Sequence, residues 1–487
     1  MRRVLFTLLA CLLLPVSAQA GFSKVEPKEE TTISYEGFFD LKVDKAKNTV
    51  QAILPKPGKD GVILKMIHTV GLRAGLGSNP LGLDRGWWRG GEILVFRKIG
   101  DKIILEVENT KYRAKPDNPL EVRAVKDSFA TSFIASAPYT LSGDRIVIDM
   151  TPFLTSDVLD LTDELKEAKQ GSFTVAKDRT LVDTSSILVF PDNVEIDVFL
   201  TLAGSNTKSE VSTTTANGKD VTLVQHHSFV RLPDDGYKTR KSDPRTGVID
   251  ISYYDYSAAL DEPIETRLAR RFRLEKDENG KTKNPIVFYI DPGAPEPIRS
   301  ALVEGAKWWE DAFAAAGFPD GYRVELLPED AHPMDIRYNV VQWVHRQTRG
   351  WSYGGGISDP RTGEMLKGQV ILGSLRVRQD RMIFEGLAGT SKTGTGAKND
   401  PVELSLARIR QLSAHEIGHS LGFAHNFAAS TYGRASVMDY PAPDVRVKDG
   451  KLDFSHAYGV GVGSWDKFAA TWLYADMDDK QREALVR

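Results

Sequence analysis

HEIGHSLGFAH, residues His415 to His425, is the stretch that decides how this chain is read. It fits the pattern H-E-x-x-H-x-x-G-x-x-H. On a helix His415 and His419 stand four residues apart, so both rings leave one face about one turn from each other. That spacing lets both bind one tetrahedral zinc ion through ring nitrogens. Glu416 lies one residue further round and reaches a metal-bound water without being a ligand itself. Gly422 can take a positive φ, ending the helix and turning the chain back. His425 then supplies a third ligand. Three protein ligands leave a fourth position open for water, the arrangement of a catalytic rather than a structural zinc site. With 9 His in 487 residues, chance would produce these five fixed positions on the order of 10⁻⁵ times per chain.

Eleven residues after His425 begins Ser436-Val437-Met438-Asp439-Tyr440-Pro441. Together the two motifs resemble the metzincin metalloproteases, whose long zinc motif is followed by a tight turn carrying a methionine beneath the metal. Met438 is the matching residue, and its pliable thioether suits an apolar floor under imidazoles. The resemblance implies a mixed sheet with an active-site helix and a Met-turn, Zn2+ as cofactor, and hydrolysis of peptide bonds. Glu416 would then be the general base. Tyr440, two residues after Met438, would stabilise the oxyanion, as a tyrosine there does in some metzincins; the other reading of Tyr440 is an aromatic wall of the site.

The likeness extends along the chain to large bacterial exported zinc-dependent metalloproteases. It is carried by GLGSNPLGLDRG (75–86), DPRTG (243–247), AHEIGHSLGFAHNFAAS (414–430) and SVMDYPAP (436–443). Members of that group continue well beyond the Met-turn, whereas 47 residues follow Tyr440 here. A short member or a truncated product is therefore expected. The part this leaves open is the lower catalytic subdomain, with the wall of the pocket that receives the residue after the scissile bond.

Composition places the chain among ordinary globular proteins. With 41% hydrophobic and 26% charged residues it is long enough for two to four domains with sizeable cores. A net charge of −3 and the lack of a basic stripe argue against a nucleic-acid binder. The N-terminus has the parts of a secretory signal: Arg2 and Arg3, an apolar core from Val4 to Val16, and an Ala18-Gln19-Ala20 cleavage site. The mature chain is expected to begin at Gly21, in the periplasm, the cell envelope or outside the cell. Leu8-Leu9-Ala10-Cys11 also looks like a lipobox, but the apolar stretch runs on to the better cleavage site. No stretch is long enough for a transmembrane helix. Cys11 is the only cysteine, so the mature chain would have neither a disulfide nor a cysteine latch on the zinc.

From Ile33 to about Met150 the apolar period is mostly two, as at Thr49–Leu54, Val62–Met66, and the pair Ile93–Arg97 and Lys102–Glu108 around Gly100-Asp101. This predicts antiparallel sheet. Residues 71–91 are glycine-rich without a phosphate-loop lysine and read as a long loop. Residues 157–169 read as one amphipathic helix, and strands resume at Ile187–Phe190, Val194–Leu202, Val221–Leu232 and Val248–Tyr254. The polar stretch 273–284 is a domain boundary or a hairpin excursion. Beyond it come a strand at Pro285–Ile290 and a helix over Glu296–Ala316 with Ile298, Leu302, Ala306, Trp309 and Phe313 on one face. Strands at Tyr322–Leu327, Asp335–Val344 and Leu366–Leu372 follow, then the histidine helix over Leu404–Gly422.

The expected class is α+β. A signal peptide spans 1–20, a β-rich region 21–272 (two subdomains or a pro-region both fit), and a metzincin-like catalytic domain 285–487. SDPRTG occurs at 242–247 and 358–363 and reads as a hairpin turn at both. His226-His227 is not read as a metal site, because no third ligand stands nearby and adjacent strand residues point to opposite faces. The expected partners are protein or peptide substrates, bound extended along an edge strand at about Leu366–Leu372. The rival is a catalytically silent cell-envelope binding or scaffold protein that zinc merely stabilises. Glu416 discriminates, since a structural zinc needs no base and takes a fourth protein ligand.

Overall fold

The computed structural model describes residues 31–487; the signal-peptide reading at 1–20 and the start at Gly21 fall outside the described residues. In the first half, period-two sequence puts alternate side chains on one face, and the strands join in an antiparallel sheet of 13 strands. Its longest members, Val62–Ala74 and Asn193–Ser205, flank Asp220–Arg231. Leu41, Val50, Leu94, Phe96, Ile148 and Val194 close its main core. The hairpin expected around Gly100 is present, with Ile99 opposite Lys102. The helix expected over 157–169 is confined to Leu161–Glu167, because Asp160 is left-handed at φ 54° and the chain before it is a turn. The presumed loop 71–91 is partly strand, since Val62–Ala74 runs through Gly71.

The second half builds a mixed sheet of six strands. Ile286–Ile290 lies between Tyr322–Leu326 and Asn339–Val344, all parallel, and Glu364–Gly373 adds parallel to Asn339–Val344. Tyr353–Ser358 pairs antiparallel with Glu364–Gly373 and, among the described residues, with no other strand. The strand expected at the edge, Leu366–Leu372, is therefore interior, and Tyr353–Ser358 is the edge. Its Tyr-Gly-Gly-Gly run has no apolar alternation, which hid it from a periodicity reading. The helix expected over 296–316 is two, Ile298–Lys307 and Trp309–Ala315, with Leu302, Ala306, Trp309 and Phe313 buried as foreseen. Leu274, Phe288, Ile409 and Ile417 share that core.

The two SDPRTG turns differ. The second is a hairpin joining Tyr353–Ser358 to Glu364–Gly373, with Gly363 at φ 80°. The first is a single 3-10 turn, Pro244–Thr246, ending at Gly247, and no paired strands flank it as a hairpin. In both, the aspartate carboxylate accepts the backbone N–H and the guanidinium of the arginine two residues on.

The LGLDRG loop keys the halves together. The Asp84 carboxylate accepts the Arg346 guanidinium at 2.7–3.0 Å and the Tyr353 hydroxyl at 2.7 Å. Arg85 donates to Asp291 at 3.0 Å. A side chain at Gly86 would collide with Gln342. Among the described residues no helix is long and apolar enough to cross a membrane.

Candidate metal centre

The histidine helix, Pro401–Ser420, begins at Asp400, whose carboxylate accepts from the Val402 N–H, with proline at the first helical position. A Cβ at Gly418 would collide with the Met438 sulfur and the Trp309 ring, so glycine there lets both pack under the helix. Gly422, at φ 100°, turns the chain. The turn is braced from outside: Ala424 N–H donates to the Gly247 carbonyl and Ile249 N–H to the Gly422 carbonyl, both at 2.8 Å. The first DPRTG motif thus positions His425, a role that no sequence signal revealed.

The ligating atoms of His415, His419 and His425 lie within 4.8 Å of one another, with 3.0 Å between the Nε2 atoms of His419 and His425. His415 Nδ1–H donates to the Val437 carbonyl at 2.7 Å and His419 Nδ1–H to the Phe423 carbonyl at 2.8 Å. These bonds select the tautomer and leave the Nε2 lone pairs for a cation. His415 Nε2 is buried and, among the described residues, has no hydrogen-bond partner, an orphan that a metal would satisfy. Burial pushes the His415 and His419 imidazoles down to about 3 and about 4, and lowers His425 too. All three are neutral, as ligands must be. The residues fit a divalent cation of the zinc type.

Glu416 is buried beside this point, and burial pushes its carboxyl up to about 8 against the opposing pull of Arg408. A cation in the triad would act with Arg408 and favour the ionised form. A side chain at Gly354 would collide with the Glu416 carbonyl, so the edge strand lies directly on the helix. The Tyr440 hydroxyl stands 2.6 Å from His425 Nε2, and its ring packs on His415 and His425. At 54% exposure it occupies the open side of the triad. Met438 is buried against Gly418 of the helix. Asp466, on the helix Ser464–Tyr474, holds the methionine turn by accepting from Ser436 Oγ at 2.6 Å and Val437 N–H at 2.9 Å. Nothing in the sequence singled out Asp466.

A second group meets the same proximity test: Asp197, His226 and His332. The sequence reading found no third ligand near His226; the fold brings Asp197 from a neighbouring strand and His332 from the other half of the chain. His226 and His227 do face opposite sides, the latter onto His68 at 3.2 Å. Yet both ring nitrogens of His226 face carboxylates, Asp197 at 2.6 Å and Glu195 at 2.7 Å. Arg73 and His332 share Asp197. Burial works to lower the His226 pKa, but the hydrogen bonds to Asp197 and Glu195 outweigh it and raise the value to about 9. This is a buried imidazolium in an ion-pair network that ties the two halves, not a set of free lone pairs.

Residues 89–277 match the family DUF5117, a domain of unknown function, and residues 397–486 match the family DUF4953, described as Met-zincin. No curated protein matches the chain. The second match spans the histidine helix, Met438, Tyr440 and Asp466. With its three neutral imidazoles converging on one point, the C-terminal part of this chain is a Met-zincin domain of the zinc metalloprotease type.

Proposed function

We propose that this protein is a zinc-dependent endopeptidase. The observation that carries the reading is the buried, unpartnered Nε2 of His415, facing two further neutral imidazoles with Glu416 alongside. His415, His419 and His425 would hold Zn2+, which when bound supplies a Lewis acid and a water acidic enough to attack near neutral pH. Glu416 accepts the proton of the attacking water and returns it to the leaving amine. The Tyr440 hydroxyl turns from His425 to donate to the developing oxyanion. Met438 forms the floor, in the role of a Met-turn. The substrate backbone pairs with the edge strand Tyr353–Ser358, each added residue contributing roughly 0.5–1.5 kcal/mol. Export with cleavage before Gly21, and division into a 21–272 region and a 285–487 catalytic domain, complete the proposal.

A silent scaffold is the less favoured reading. Among the described residues no fourth His, Cys, Asp or Glu joins the triad, and a structural site would use one. The test is incubation of the chain from Gly21 with a peptide library, with and without chelator, read by mass spectrometry. Internal cuts that chelator abolishes and zinc restores are expected. Rates should climb with peptide length on both sides of the cut, and blocked termini should matter little. Stoichiometric zinc with no cleavage of any peptide would favour the scaffold.

A further inference from the structure

Away from the triad, a cavity of about 420 Å³ lies between the segments 237–240 and 271–276 and the chain at 474–482. That volume is in the range of small-molecule sites, about 300–1,000 Å³. No residue of the triad, of the methionine turn or of the edge strand Tyr353–Ser358 lines it. Its lining is strongly of one sign: seven lysines and arginines against Glu275 and Asp476.

Three of the seven are matched. Arg273 pairs with Asp234 at 2.6 Å and Glu364 at 2.7 Å, Lys283 with Glu275 at 3.8 Å, and Arg482 with Asp479 at 2.7 Å. Lys238, Arg240, Arg271 and Lys276 form no ion pair among the described residues, and Asp476 is the one lining carboxylate left to face them. Two of these four are set into the protein. Arg271 is 7% exposed and lies over the Tyr237 ring at 4.8 Å. Its Nη2 donates to the Lys238 carbonyl at 2.7 Å and its Nη1 to the Phe272 carbonyl at 3.4 Å, while Nε has no partner among the described residues. Arg240 donates from Nη1 to the carbonyls of Trp472 and Leu473. Neutral carbonyls engage the donors but leave the charge uncompensated. Burial, and after it the like charges of Arg271 and Arg482, push the Arg240 guanidinium down to about 9, with Tyr237 and Asp479 opposing to a lesser extent. Both guanidiniums remain charged at neutral pH, and a buried charge without a counter-ion is costly.

We propose that this cavity binds phosphate, free or as the phosphate group of a small molecule. A guanidinium presents a planar fork of donors that phosphate oxygens accept in pairs, and here two forks, Arg240 and Arg271, face one cavity. A phosphate carries close to two negative charges at neutral pH, whereas a single carboxylate brings one. It therefore offsets more of the excess left by four unmatched cations against Asp476. Lys238 and Lys276 stand exposed at the rim, where they draw the anion in. The Tyr237 and Phe318 rings supply a wall for the organic part of a phosphate ester. The site needs neither the metal nor the peptidase reading.

The test is calorimetric titration of the chain from Gly21 with inorganic phosphate, glucose 6-phosphate, citrate and glucose, at one ionic strength set with chloride so that general screening is constant. One saturable site per chain is expected for a phosphate probe, with glucose silent and citrate at least about tenfold weaker. Tighter binding of glucose 6-phosphate than of inorganic phosphate assigns the site to phosphate esters, and equal binding to the free ion. Arg271→Gln should weaken the phosphate by about tenfold or more, the scale of one charge-assisted hydrogen bond. Because that residue is buried, Lys276→Glu is the second variant. It lies on the exposed rim, should leave the unfolding midpoint without phosphate unchanged, and should weaken binding about three- to tenfold. No saturable binding of either phosphate probe overturns the proposal. So does unchanged affinity in Lys276→Glu, or citrate bound as tightly as phosphate.

Discussion

Two clusters built on histidine lie in this molecule, each with three ligand-type groups within 4.8 Å, and they are wired in opposite senses. In the C-terminal cluster, His415 and His419 give their Nδ1–H to backbone carbonyls and aim Nε2 at a shared point. In the cluster that joins the two halves, His226 gives both nitrogens to carboxylates. The first arrangement keeps imidazoles neutral with lone pairs free. The second makes one imidazolium permanent near neutral pH. Proximity of the same residue types therefore does not define a metal site; the partner of each ring nitrogen does.

The largest expected effect separates the clusters directly. His419→Ala should abolish bound metal, measured by metal analysis of purified protein, while His226→Leu should retain one ion per chain. Retained metal in the first variant, or lost metal in the second, would erase the distinction.

Next, His226→Leu leaves Glu195 and Asp197 buried without the imidazolium between them. A loss of about 3–5 kcal/mol is expected in denaturant unfolding, the scale for breaking a buried pair by removing one partner. An unchanged midpoint would show that Arg73 and His332 suffice.

The same network predicts a pH dependence. His226 titrates at about 9 in the folded chain, above an unfolded value of about 6.5. Its contribution is complete below the unfolded value and is lost as pH rises through about 9. Stability should fall by on the order of 3 kcal/mol across that window, and the fall should be absent in His226→Leu. A flat wild-type profile would mean that His226 is neutral.

In the triad, Glu416→Ala should keep the metal and lose at least about two orders of magnitude in rate. Near-normal turnover that chelator still abolishes would remove Glu416 as the base. The smallest effect belongs to Tyr440→Phe. Half-exposed, its hydroxyl should be worth about tenfold in kcat with KM little changed, less than a fully preorganised donor. A rise in KM at constant kcat would assign it to ground-state binding instead.

The comparison also separates what was legible from what was not. The HEIGHSLGFAH helix and the following Met438 and Tyr440 could be read directly because their relations are local: a four-residue helical spacing and a turn a few residues long. The antiparallel strands of the first half were legible for the same reason, through period two. Tyr353–Ser358 was not, because its glycines carry no period, and the apolar strand beside it looked like the better edge. His332 could not be paired with His226 from sequence, since 105 residues separate them and only the packing of the two halves brings them together.

The sequence by itself determined the three histidines, their spacing on the helix and the carboxylate of Glu416 beside them, since these follow from backbone geometry within eleven residues. Tertiary structure alone decided the rest. It braced His425 through Gly247 and Ile249, anchored the methionine turn on Asp466, and put Asp84 under Arg346 and Tyr353. Each of these joins residues far apart in the chain. Hydrogen bonds of this kind depend on which surfaces pack together, and packing leaves no periodic trace in the order of residues.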